Sequence, residues 1–392
     1  MPPIIERVTD LETRPAPPLL RRAAPALLGY AAVRALGLVV LALWSAARDK
    51  SALTLLSARW DSLWYSRIAD LGYGYEVRLP NGDVHSNLAF FPLLPWLERA
   101  VSAVTPLSPA HAGLLVSTVA SLAAAWGIFA VADHVHGRRV GVCAVLLWAV
   151  LPVGIVQSMA YSESLFTALA AWSLYAVLTG RWVTAGLLAS LAGLTRPVGL
   201  AVVAALWATA IASFGRIGRS TASHGAPAWP RALGMLLAPL GAAGYVLWVG
   251  HRTGKGPLGY LDIQAGWRNG FDGGYAFARF VVGKFTSFPS ALAGVGLLVG
   301  VGLIAWLYVV CVRQGQPLPL LVYAGVVTAL ALCASSYFGS KPRLLMPAFP
   351  LLLPLARALA GARVPRSAWI LGGVAVASAV YGAFWLNGTG PP

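Results

Sequence analysis

Residues 110–132 read AHAGLLVSTVASLAAAWGIFAVA, 23 positions without an Asp, Glu, Lys or Arg. A helix of that length reaches across the roughly 30 Å hydrocarbon core of a bilayer. Comparable stretches lie on either side, near 23–44, 139–158, 164–179, 183–195, 198–214, 232–250, 288–312, 318–336, 344–360 and 367–386. Within hydrocarbon each backbone N–H and C=O must be satisfied inside its own segment. The expected fold is therefore an all-α polytopic membrane bundle of about eleven transmembrane helices. Arg196-Pro197 interrupts the stretch 183–214, because proline breaks or kinks a helix, so a short hairpin is expected there.

Composition agrees. The chain is 58% hydrophobic and 11% charged, against about 25% charged in a soluble domain. Residues 1–22, rich in proline and charge, read as a disordered cytoplasmic arm. Residues 23–392 read as one transmembrane domain with two long outer loops, 45–109 and 251–287. Cys143, Cys311 and Cys333 fall in apolar stretches and read as small hydrophobes. The histidines show no metal-ligand spacing.

The net charge is +16. No nucleic-acid-binding motif accompanies it, so nucleic acid is set aside as a partner. Topology and attraction to anionic membrane lipids account for it instead. A cytoplasmic N-terminus puts the short connections at Arg138-Arg139, Arg181, Arg216 to Arg231, Arg313 and Arg357 to Arg366 inside. Nine of the thirteen acids then face outward: Asp49, Asp61, Asp70, Glu76, Asp83, Glu98, Glu163, Asp262 and Asp272. That concentration assigns the chemistry to the outer face.

Five places at span ends hold candidate site residues. Ser57 to Gly72 reads as a short interfacial helix, with Ser57 as N-cap and Gly72 as stop. It carries Arg59, Trp60, Asp61, Trp64 and Tyr65, with Asp61 and Tyr65 on one face. Asn87-Leu-Ala-Phe-Phe-Pro-Leu-Leu-Pro95 reads as a rigid apolar corner, or as an aromatic belt segment. Tyr161-Ser-Glu-Ser164 places Glu163 either as a dipole-favoured helix acid or as a site residue. Arg196, Lys341 and Arg343 either snorkel to headgroups or clamp a lipid phosphate. Arg34 lies inside the first span, where a charge needs a partner; a carboxylate from the outer loop is one candidate.

Taken together, Arg59-Trp60-Asp61, Tyr73-x-Tyr75, Phe90-Phe91-Pro92-Leu-x-Pro95, Tyr161-Ser-Glu-Ser-Leu-Phe166 and Leu194-Thr-Arg-Pro-x-Gly199 resemble the motif series of PIG-V-type mannosyltransferases. These are membrane glycosyltransferases of the GT-C class, and the likeness is to bacterial members. Beyond residue 200 it continues through Gln264-x-x-Trp267 and Lys341-x-Arg343. Eukaryotic members usually carry His after Trp-Asp-x-x; here Trp64-Tyr65 stands instead, so no histidine role carries over.

The resemblance implies a polyprenyl-phosphate sugar donor, expected to carry mannose, and an inverting transfer to a glycolipid, glycan or protein acceptor. It gives Asp61 the role of general base. Arg59, Trp60, Trp64, Tyr65, Asn87, Tyr161, Glu163, Arg196, Gln264, Trp267, Lys341 and Arg343 are the expected substrate contacts. No metal ligand set is expected, and a divalent ion stays an open alternative. The expected location is the plasma membrane. The competing reading is a transporter or lipid flippase. Ionisable residues near the bilayer midplane and an internal repeat would favour it.

Overall fold

The computed structural model describes residues 18–217 and 228–390. Most of the arm expected over 1–22, and the core of the Gly215 to Arg231 connector, fall outside the described residues. The arm's end is already helical. The first helix, α1 (Leu19–Ala46), starts directly after Pro18. Its first turn is anchored by Arg22, whose Nη2 pairs with Asp133 at 2.7 Å.

The first long loop holds α2 (Ala52–Ser57), α3 (Asp61–Leu71), the hairpin β1 (Glu76–Arg78) and β2 (Val84–Ser86), and α4 (Leu93–Val104). Ser57 is the last residue of α2, not the N-cap of the next helix, and its Oγ donates back to Leu53 O at 2.8 Å. Ser51 caps α2 instead. Ser62 meets the backbone N–H and C=O of Arg59 where α3 begins. Gly72 does stop α3, at φ 80°, a conformation that favours glycine. The β1–β2 turn surrounds Asn81-Gly82, with Gly82 at φ 88°.

The long α5 (Pro109–His136) runs through the centre and buries more than half of its apolar span. Against it pack α6 (Arg138–Ala149) and α7 (Ser162–Leu178), and on α7 in turn pack α8 (Trp182–Gly193) and α9 (Leu200–Ile217). The stretch 139–158 is not one helix. It breaks after Ala149, near Pro152, and resumes as a 3-10 turn at Gly154–Ser158. Arg34 donates to Ala149 O and Gly154 O across that break. Its partners are thus backbone carbonyls orphaned by the broken span, not a carboxylate. The hairpin at Arg196-Pro197 forms as expected. Gly199 folds against Gly193 so closely that a Cβ there would lie 2.6 Å from the Gly193 Cα.

The chain continues through α10 (Trp229–Leu237) and α11 (Leu240–Thr253) into the second long loop, with α12 (Gly259–Gly266), β3 (Gly270–Phe271) and α13 (Tyr275–Gly283). Then come α14 (Ser290–Arg313), α15 (Leu318–Cys333), β4 (Ala334–Ser335), α16 (Lys341–Leu345), α17 (Leu353–Gly361) and α18 (Val364–Asn387). Pairing of β3 with β4 ties the second long loop to the segment entering α16.

All eleven expected stretches contain helix. Among the described residues, five helices are long and apolar enough to cross a membrane, or six counting a pair bent by 74° between 338–345 and 349–361. Pro347 and Pro350 stand at that bend and explain it. The fold is an all-α, multi-pass membrane bundle.

Candidate functional site

Asp61 opens α3, where the helix N-terminus favours a negative charge. Its Oδ2 accepts a hydrogen bond from Arg343 Nη1 at 2.7 Å. Asp61 keeps 26% of its side chain exposed, whereas Arg343 is buried. Arg343 Nε lies 3.3 Å from Glu163 Oε1 at the first turn of α7. Arg196, from the break between α8 and α9, pairs with the same Glu163 oxygen. Arg196 also donates to Ser162 Oγ at 3.3 Å, and Ser162 Oγ meets Tyr65 OH at 2.8 Å. Tyr65 is one turn after Asp61, so the contacts close a ring. The Arg343 guanidinium lies 5.0 Å from the Tyr161 ring centroid.

Four distant segments thus place two carboxylates and two guanidiniums together, with their formal charges balanced. Burying such a set is unfavourable unless every member is paired. Glu163, 1% exposed, is the member both guanidiniums share. Only the Asp61 carboxylate has substantial access to the outside.

Beside the ring stands an aromatic wall. Trp64 stacks on Phe90 (5.6 Å, 9°) and meets Trp267 edge-on (4.9 Å, 71°). Tyr65 meets Phe90 edge-on at 5.2 Å. Trp267 stacks on His85 at 4.0 Å and donates from Nε1 to Ser86 O at 3.0 Å. Burial lowers the pKa of the His85 ring; Asp83 opposes that shift and Arg268 adds to it. Tyr245 OH donates to Leu88 O and Phe90 O, fixing the apolar corner.

Other expected contacts are engaged elsewhere. Asn87 joins Gly72 O to Gly74 N and so closes its own loop. Gln264 Nε2 reaches Ala89 O at 3.3 Å and also Tyr260 OH. Lys341 Nζ donates to Ala331 O at 2.7 Å and Ala334 O at 2.9 Å, capping the end of α15 away from the ring. Arg59 turns from the ring to the backbone carbonyls of Leu386 and Gly388, with its guanidinium 4.0 Å from the Trp60 ring centroid. Asn387 is buried and its amide donates to Ser45 Oγ.

The sequence pointed to neither Ser162 nor Phe90 as site members, although both lie inside the motifs quoted above. Glu98 on α4 is 0% exposed, and among the described residues its carboxyl oxygens have no hydrogen-bond partner. Burial pushes its carboxyl well above the usual range. Among the described residues no group of three His, Cys, Asp or Glu side chains is placed to hold a metal ion. A cavity of about 510 Å³ opens between α13 and Phe338, lined by Tyr275, Arg279, Phe280 and Lys284; it does not include Asp61.

The architecture is that of a multi-pass membrane bundle. It is similar to the crystal structure of ArnT from Cupriavidus metallidurans bound to undecaprenyl phosphate, with a TM-score of 0.52 and 16% identity, covering 87% of this chain and 61% of that one. Residues 39–215 match the family described as Mannosyltransferase (PIG-V). That segment holds most of the motifs quoted above. It is 32% identical over 153 residues to GPI alpha-1,6-mannosyltransferase 2 of Mus musculus, which is 36% of this chain and 29% of that protein. The Rattus norvegicus protein of the same name matches at 32% over 156 residues, 30% of its length. The chain thus aligns with less than a third of either relative.

Proposed function

We propose that this chain is an inverting membrane mannosyltransferase. It takes the sugar from a polyprenyl-phosphate carrier and places it on an acceptor hydroxyl of a glycolipid, glycan or protein. The reaction occurs at the outer face of the plasma membrane, the side on which most of the acids fall when the N-terminus is cytoplasmic. The observation that carries this reading is the 2.7 Å contact between Arg343 and the part-exposed carboxylate of Asp61.

In the proposed step, Asp61 takes the proton of the acceptor hydroxyl as its oxygen bonds to the anomeric carbon from the face opposite the phosphate. The carbon–phosphate-oxygen bond breaks, and the electron pair leaves with the phosphate. A positioned base of this kind contributes about 10²–10⁴ in rate. Arg343 is hydrogen-bonded to the base, so protonation of Asp61 cancels the charge that Arg343 was compensating. Its guanidinium is then available to the phosphate, whose negative charge grows in the same step. Lys341, occupied by carbonyls, has no part in this. Trp64 and Trp267 offer ring surface to the sugar.

The undecaprenyl phosphate bound to ArnT supports a carrier of this class. The likeness to GPI mannosyltransferases supports mannose. The test is purified protein in lipid, given labelled polyprenyl-phosphate mannose and candidate acceptors. Sugar transfer with inverted anomeric configuration is the expected outcome. Movement of lipid or solute across the bilayer without transfer would make the protein a transporter.

A further inference from the structure

The contacts of Arg59 are better suited to hold Asp61 than to meet a substrate. Three consecutive carbonyls at the end of α18 are met by two cations from the first long loop. Arg59 Nη1 donates to Leu386 O at 2.9 Å, Lys50 Nζ to Asn387 O at 2.7 Å, and Arg59 Nη2 to Gly388 O at 3.2 Å. The last carbonyls of a helix lack intrahelical partners and carry its negative dipole end, so cations are favoured there. The Asn387 side chain adds a link to Ser45 at the end of α1.

The same guanidinium stacks on Trp60, which lies between Arg59 and Asp61. Trp60 has φ 53° and ψ −120°, outside the region that a tryptophan prefers. A residue held this way persists only when its surroundings over-determine it. The unusual Trp60 backbone turns the chain from α2 into α3 and places Asp61 on the first turn, toward Arg343. Within α3, Ser62 braces the Arg59 backbone, but Trp60 itself makes no side-chain cap, so the Arg59 clasp is a second restraint on this turn.

We infer that Arg59, Trp60 and the carbonyls ending α18 form a clasp that aims Asp61 at Arg343, making Arg59 a positioning residue and the last helix a support of the active site. The kinetic part rests on the mannosyltransferase reading; the structural part does not.

The experiment compares Arg59→Gln and Arg59→Lys in the full chain, by amide hydrogen exchange over residues 58–66 and by separate kcat and KM. Losing two charge-assisted hydrogen bonds should speed exchange in Arg59→Gln about 10- to 100-fold. Its kcat per folded molecule should fall by about the same factor, with KM for donor and acceptor within about twofold. Arg59→Lys keeps the charge and one bond and should recover part of both effects; it also serves if Arg59→Gln does not fold. Unchanged exchange in the variants overturns the clasp. A raised KM with unchanged kcat makes Arg59 a substrate contact instead. If the wild type transfers no sugar, the mannosyltransferase reading fails while the exchange result still decides the clasp.

Discussion

Arg343 and Asp61 stand 282 positions apart in the chain and are joined by a 2.7 Å hydrogen bond. Arg343 also reaches Glu163 at 3.3 Å, so one planar guanidinium bridges acids from α3 and α7. An ammonium is a compact point charge on a flexible stem and does not reproduce that fork. Arg343→Lys should therefore lose most of the activity, on the order of 10²-fold in kcat, while the protein still assembles. Initial-rate kinetics beside size-exclusion chromatography check this.

Glu163 compensates two buried guanidiniums. Breaking a buried pair by removing one partner typically costs about 3–5 kcal/mol. Glu163→Gln should thus lower the thermal midpoint far more than Asp61→Asn does, since Asp61 is part-exposed. Glu163→Gln combined with Arg196→Gln should destabilise by less than the sum of the two single variants. Thermal unfolding of the four variants in detergent decides it.

Glu98 gives a pH dependence of known sign. Its carboxyl has a raised pKa in the folded protein. Above the ordinary carboxylate range the unfolded chain has released this proton while the folded chain keeps it. The contribution to stability is full below the unfolded pKa and declines as pH rises toward the folded one, by up to about 1.4 kcal/mol per pH unit. Glu98→Gln should remove that decline, making the variant at least as stable as the wild type near neutral pH. Unfolding midpoints from pH 5 to 8 test this, and a wild type whose midpoint rises with pH relative to Glu98→Gln would contradict it.

Trp267 and Trp64 form the wall beside Asp61. Trp267→Ala should raise the donor KM about tenfold, the scale of a lost stacking contact. Its kcat should change less, because the base and guanidiniums are untouched. Steady-state kinetics in both substrates make the comparison.

Much of the fold was readable because hydrocarbon imposes a simple rule. A run such as 110–132 without a formal charge has few alternatives to helix, and every expected stretch contains helix. Length was harder to read. The stretches 139–158 and 344–360 look like single spans, yet Pro152, Pro347 and Pro350 divide them, and the freed carbonyls after Ala149 are met by Arg34. That compensation comes from a helix 115 residues earlier and leaves no local trace. The same limit applied to the site. Asp61, Glu163, Arg196 and Arg343 each stood out as a charge at a span end, but only tertiary packing shows that they share one ring. Lys341 stood out for the same reason and proved to cap α15, because two residues along a short helix separate it from Arg343 in direction. Ser57 misled because a serine before an apolar run can end one helix as readily as it starts another.

The central claim is that Asp61 is the base for sugar transfer. The direct measurement is the rate of mannose transfer from labelled polyprenyl-phosphate mannose by wild type and Asp61→Asn, at matched folded protein. The expected result is a loss of about 10²–10⁴ in Asp61→Asn, with donor binding retained. Full activity in Asp61→Asn would contradict it.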